Sequence, residues 1–91
     1  MNRRLFDLIY PKQNTKVVIP REQDGKSGLA VFEAAHEVDS ATIYWHLNDE
    51  YIGITRGRHQ LGVNHEPGTY ILTLVDEYGT EISRSIEILE K

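Results

Sequence analysis

The chain has 91 residues, one domain's worth, and a chain of this size buries about 60 to 65% of its unfolded surface in one modest core. Ten Lys and Arg against fourteen Asp and Glu give a net charge of −4, with basic residues scattered singly apart from Arg3-Arg4 and Arg56-Arg58; phosphate binding needs clustered positive charge, so no nucleic-acid partner is expected. Cysteine is absent, which excludes disulfides, thiolate chemistry and cysteine-based zinc sites, and no run approaches the ~20 apolar residues of a membrane span.

Proline and glycine punctuate the chain at Pro11, Pro20, Gly25, Gly28, Gly53, Gly57, Gly62, Pro67, Gly68 and Gly79, leaving room for strands of about five to eight residues and little for helices. FDLIYP and TKVVIP read as one strand broken by a Pro-containing bend. GLAVFEAAHE reads as the next, with Phe32 inward because the opposite register also turns Glu33 inward. Its Ala and Glu residues suit a helix, but Gly28 and the polar turn at Asp39-Ser40 bracket it inside an otherwise all-strand chain.

TIYWHL alternates cleanly, placing Ile43, Trp45 and Leu47 on one face and Thr42, Tyr44 and His46 on the other. Asn48-Asp49 suits a tight turn, which folds Tyr51 to Thr55 back alongside Tyr44 to Leu47. GTYILTLVDEYGT repeats the device: Tyr70, Leu72 and Leu74 share a face, and Gly79 supplies a positive φ in the following turn. Asp76 is expected to organise that turn by accepting backbone N–H groups. The last strand, roughly Glu81 to Leu89, places Ile82, Ile86 and Ile88 inward.

About seven short strands with regular turn signals predict an all-β, immunoglobulin-like antiparallel two-sheet β-sandwich, a single domain over residues 1–91 with its core over about 6–89. Trp45 falls on the third main strand, where such domains bury a tryptophan. Tyr70 precedes the inward Leu72 by two residues, where antibody-type domains carry a corner-tying tyrosine before a cysteine.

Catalytic, cofactor and metal sites are not expected. His36, His46, His59 and His65 include no His-x-x-x-His pair and no i, i+2 pair, so they read as solvated surface histidines. Asp49-Glu50 and Asp76-Glu77 read as exposed turn carboxylates, unlike the cleft-facing pair of a glycosidase. A 91-residue sandwich also has little concave volume for the ~300 to 1,000 Å³ of a ligand pocket. The candidate binding surface is Tyr44, His46 and Tyr51 with Arg56, Arg58 and His59, aromatics and cations on one strand pair. Exposed Tyr and Arg are enriched at the energetic centres of protein interfaces, and aromatics with polar neighbours also suit sugar rings.

YWHLNDEYIG at 44–53, followed by PGTYILTLVDEYG at 67–79, with IYP and VVIP near the start, resembles the C-terminal domain of class A penicillin-binding proteins of the 1C type. The resemblance covers roughly residues 6–89. One position departs from it: Asp49 stands where that family usually has glycine. The Pro-Gly to Asp-x-x-Gly segment alone is also similar to PKD-like and other bacterial immunoglobulin-like modules, which leaves a glycan-binding or structural module of another surface protein as the alternative.

The resemblance implies a non-catalytic accessory module at the end of a bifunctional, inner-membrane-anchored peptidoglycan synthase in the periplasm. Such a module contacts a protein partner or a neighbouring domain of the parent, or peptidoglycan glycan. The chain then reads as a terminal piece of a longer protein. The parent's catalytic motif does not carry over, because Ser27, Ser40, Ser83 and Ser85 each lack the Lys three residues later that the Ser-x-x-Lys nucleophile requires.

Overall fold

The computed structural model describes residues 5–20 and 28–90; Arg3-Arg4, Gly25 and Ser27 lie outside them. Eight strands follow in order: β1 Phe6–Tyr10, β2 Thr15–Ile19, β3 Ala30–His36, β4 Thr42–Leu47, β5 Glu50–Arg56, β6 His59–Val63, β7 Gly68–Asp76 and β8 Glu81–Glu90. They form a three-stranded sheet, β1-β3-β6, and a five-stranded sheet, β2-β8-β7-β4-β5. The described residues contain no helix. This is the immunoglobulin-like sandwich expected from the alternation.

The first two strands depart from expectation. FDLIY and TKVVI belong to different sheets: β1 pairs with β3, and the chain crosses at Tyr10-Pro11, a cis peptide, to β2 on the edge beside β8. The β2–β8 pair is parallel whereas the other pairs are antiparallel. Val17 and Ile19 of β2 are buried, as are Phe6 and Leu8 of β1. The switch thus lets one segment cover the same core from both layers.

Inward residues of both sheets make one core, including Phe32, Ile43, Trp45, Leu47, Leu72, Leu74, Ile86 and Ile88. Phe32 is inward and Glu33 half-buried, the predicted register. Trp45 has no exposed surface. Truncating such a side chain to alanine costs about 3 to 5 kcal/mol, a large share of the roughly 5 to 15 that holds a domain together.

The two predicted turns form for the expected reasons. Leu47 faces Glu50 across Asn48-Asp49, and Asn48 takes the left-handed conformation at φ 54° while Asp49 does not. Glycine is therefore not required at Asp49, which accounts for the departure noted there. Asn48 also ties the hairpin to β7: its N–H donates to Ile71 O at 2.7 Å, and its Oδ1 accepts the Ile71 N–H at 2.9 Å. In the β7–β8 turn Gly79 has φ 87°, and Asp76 Oδ1 accepts the N–H groups of Tyr78 at 3.0 Å and Thr80 at 2.8 Å. Tyr70 performs the corner-tying role, its hydroxyl donating to Glu66 O at 2.7 Å.

Candidate functional site

Strands β5, β4 and β7 present their outward side chains in cross-strand rows, because paired residues of neighbouring strands share a face. Ile54, Tyr44 and Val75 make one row; Tyr51, His46 and Thr73 make the next. The register shift between Trp45 and His46 leaves Ile52 as the extra residue of β5. That bulge is what allows Tyr51 to lie outward beside His46 while Gly53, two residues on, still faces Trp45. Tyr51 is 54% and Ile54 53% exposed, and Tyr44 and Ile71 are exposed beside them. Tyr51 packs edge-on against the half-buried His46 ring at 5.8 Å. The face continues onto β8 through hydroxyls, Thr73 Oγ1 lying 3.2 Å from Ser83 Oγ.

Arg56 ends β5 on the same side, exposed, with its Nε–H donating to Ser40 O at 3.1 Å. Arg58 is exposed in the turn that follows, where Gly57 takes φ 76° and the Arg58 N–H donates to Arg56 O at 2.9 Å. Five of the six residues singled out from the sequence therefore lie along the β4–β5 hairpin and in the turn that follows β5. Tyr44, Tyr51, Arg56 and Arg58 are open to solvent there, and His46 is partly covered.

His59 is the exception. It opens β6 in the other sheet and is only 3% exposed, pointing inward opposite Ala34. The signal was present in HQLGV, where His59, Leu61 and Val63 alternate with Gln60 and Gly62, placing His59 on the core-facing parity. His46 and His59 do not pair across strands, since β4 and β6 lie in different sheets.

His59 belongs to a polar cluster between the sheets. The Trp45 indole N–H donates to Thr55 Oγ1 at 2.9 Å, and Thr55 Oγ1 lies 2.7 Å from His59 Nδ1. His59 Nε2 is buried without a hydrogen-bond partner among the described residues. Burial, with the charge of neighbouring His36 second, lowers the His59 pKa from its ordinary value.

His36 is the second correction to the expectation of solvated histidines, because its side chain is fully covered. Its Nδ1 accepts the Val38 N–H at 2.9 Å, and its Nε2 lies 2.9 Å from Asp76 Oδ2. Asp76 in turn is 2% exposed, not the solvated turn carboxylate expected. Burial pushes the Asp76 pKa up, but the hydrogen bond from His36 and the N–H groups of Thr80 and Tyr78 overcome it, and the net shift is downward.

Apart from His59 Nε2, the cluster's hydrogen bonds hold turns and strands together, and Thr55, His59 and Asp76 are buried. No group of three or more metal-ligating side chains converges among the described residues. Two shallow hollows flank β8, one lined by Asn14, Thr15, Lys16, Thr69, Ser85 and Glu87, the other by Asp7, Lys12, Gln13, Ser83 and Arg84.

The model of the penicillin-binding protein C-terminus family matches residues 2–88. Among solved structures the chain is similar to one from Clostridium thermocellum, described as CbhA fibronectin(III)-like modules, at TM-score 0.62 and 16% identity over 94% of this chain and 95% of that one. At that identity the likeness concerns the fold alone. No curated protein sequence matches the chain.

Proposed function

The chain belongs to the penicillin-binding protein C-terminus family, and from that premise we propose that it is the non-catalytic accessory module of a periplasmic, 1C-type bifunctional peptidoglycan synthase. Its work is contact with a protein partner or with a neighbouring domain of the parent enzyme. The observation that carries this reading is the outward face of β5-β4-β7, where Ile54, Tyr44 and Tyr51 are exposed side by side and Arg56 and Arg58 border them. Large side chains that could have been covered by a polar sheet surface are instead left for a partner.

A direct test measures the affinity of the chain for the purified catalytic region of its parent synthase. Replacing Arg56 and Arg58 together by Glu is expected to weaken that association at least about ten-fold, a loss of ~1.4 kcal/mol, while thermal unfolding stays unchanged. Undiminished affinity would remove this face from the interface.

Peptidoglycan glycan is the second reading, favoured by the adjacency of Tyr44 and Tyr51 to the hydroxyl row of Thr73 and Ser83. Titration with muropeptides should then move the Tyr44 and Tyr51 ring signals and leave the β1-β3-β6 sheet unmoved. Unmoved tyrosine signals would end the glycan reading and leave the protein-contact reading intact.

A further inference from the structure

The change of sheet between β1 and β2 leaves a strand position empty. β2 joins β8 only from Thr15, opposite Ile86, onward, and β1 lies in the other sheet beside β3. Among the described residues, no strand therefore lies beside Glu81 to Ser85 on the side of β8 away from β7. Ser85 shows how the backbone points there. Its N–H donates to Gln13 Oε1 at 2.9 Å and its O accepts the Asn14 N–H at 2.7 Å, both away from β7. Backbone groups two residues apart in an antiparallel ladder point the same way, so the N–H and C=O of Ser83 open into the gap.

The gap is a hollow of about 440 Å³ lined in part by Asp7, Lys12, Gln13, Ser83 and Arg84, a volume within the range of small-ligand sites. Arg84 stands at a core-facing position, opposite Leu72 and two residues from the buried Ile82 and Ile86. Its side chain is 21% exposed, and its guanidinium emerges between β8 and β1: Nη1 donates to Ser83 O at 3.1 Å and Nη2 lies 3.5 Å from Asp7 Oδ1. The second distance exceeds the ~2.7 to 2.9 Å of a direct charge-assisted bond, and the same Asp7 oxygen accepts the Leu8 N–H at 2.9 Å. Arg84 is thus positioned without being clamped. With Ser83 O occupied by Arg84, the groups that the hollow still presents are donors: the Ser83 N–H, the outer guanidinium N–H groups and the Lys12 ammonium.

Donors from two cations beside one carboxylate suit an anionic acceptor, and a carboxylate matches the guanidinium fork best. The shape of the gap decides where in a ligand that carboxylate lies. Toward Ser85 the gap is closed by Gln13 and Asn14, and toward Glu81 it runs open along the edge of β8. A chain lying beside Glu81 must therefore end before Ser85. Free strand edges take up extended peptides, and terminal carboxylates are captured by backbone N–H groups. We propose that this hollow binds the free C-terminal carboxylate of an extended peptide, with Arg84 and Lys12 neutralising its charge, the Ser83 N–H donating to it, and the preceding residue lying along Glu81. The site is on the β8 side of the five-stranded sheet and does not depend on what the β5-β4-β7 face contacts.

The test is an NMR titration of the isotope-labelled full chain with acetyl-trialanine carrying a free C-terminal carboxylate. The same peptide amidated at its C-terminus and acetate alone are titrated in parallel, each to about 10 mM, enough to saturate a site with a Kd of about 1 mM or tighter. The free acid should shift the Ser83 amide and the Arg84 Nε–H together and saturably, leaving Tyr51 and Trp45 unmoved. The amidated peptide and acetate should each bind at least about ten-fold more weakly, the first lacking the charge and the second the backbone that lies along Glu81. Lys12→Gln and Arg84→Gln should each weaken the free acid by at least about ten-fold. Asp7→Asn keeps an acceptor for the Leu8 N–H and removes the competing charge, so it should strengthen binding.

Equal binding of the free acid and its amide would overturn the assignment to a carboxylate. Equal binding of acetate and peptide would reduce the hollow to an anion contact and overturn the peptide. Absence of saturation, or a Ser83 amide that does not move, would overturn the site itself, as would undiminished affinity in the two cation variants. Should Arg84→Gln fail to fold, Lys12→Gln carries the same test, since Lys12 is exposed and outside the core.

Discussion

Trp45 is covered completely and still directs its indole N–H to a partner, Thr55 Oγ1. Two consequences can be measured separately. Trp45→Phe keeps an aromatic ring but leaves Thr55 short of a donor, and should cost about 1 to 3 kcal/mol. Trp45→Ala adds a cavity and should reach about 3 to 5 kcal/mol. Urea unfolding at neutral pH would show both, and equal costs for the two variants would contradict the assignment of the indole bond.

The titrating residues make a signed prediction. The His59 pKa is lowered in the fold, so the unfolded chain binds its proton first, and stability declines as pH falls below the unfolded value of about 6.5. Asp76 is also lowered, so its contribution is complete above the unfolded value of about 3.9 and is lost as pH falls further through its folded value. Thermal unfolding should therefore weaken in two separated stages on acidification, the first absent in His59→Phe. Alternation in the sequence sufficed to place Trp45, whose neighbours Ile43 and Leu47 agree with it. For His59 the same alternation conflicted with residue type, and only the positions of Thr55 and Trp45 in space explain why a histidine is acceptable between sheets.

At the level of strands and turns, glycine and asparagine have distinct duties. Gly79 sits at φ 87° with nothing within 4 Å of where a Cβ would stand, so Gly79→Ala is penalised by backbone conformation alone, about 1 to 2 kcal/mol. Gly53 has no such φ, but a Cβ there would come within 2.8 Å of Leu61 Cδ1. Leu61 is half-buried and its end can turn aside, so Gly53→Ala should cost less than Gly79→Ala in the same unfolding assay. The reverse order would mean that β5 and β6 are packed too tightly at Gly53 for Leu61 to move.

The hairpins β4–β5 and β7–β8 were legible because each joins two alternating runs through residues suited to left-handed turns. The partition of FDLIY and TKVVI between sheets was not, since both present Val, Ile or Leu at strand spacing and nothing local distinguishes a bend within a sheet from a crossing between two. The parallel pairing of β2 with β8 joins residues about 70 positions apart, a distance over which local pattern carries no instruction. The bulge at Ile52 was equally hidden, although its result, Tyr51 beside His46, was anticipated.

For the whole molecule, a sandwich sealed by one core separates two tasks. The interior fixes the fold through Trp45 and ties its polar groups to one another through Thr55, His59, His36 and Asp76. The outer side of the five-stranded sheet keeps its large side chains uncovered, and contact there is the proposed role. The most direct test adds the purified catalytic region of the parent synthase to the isotope-labelled chain and maps the amide shifts. The predicted result is a set of changes centred on Tyr44, His46, Tyr51, Ile54 and Arg56; changes confined to β1, β3 and β6, with that set unmoved, would contradict it.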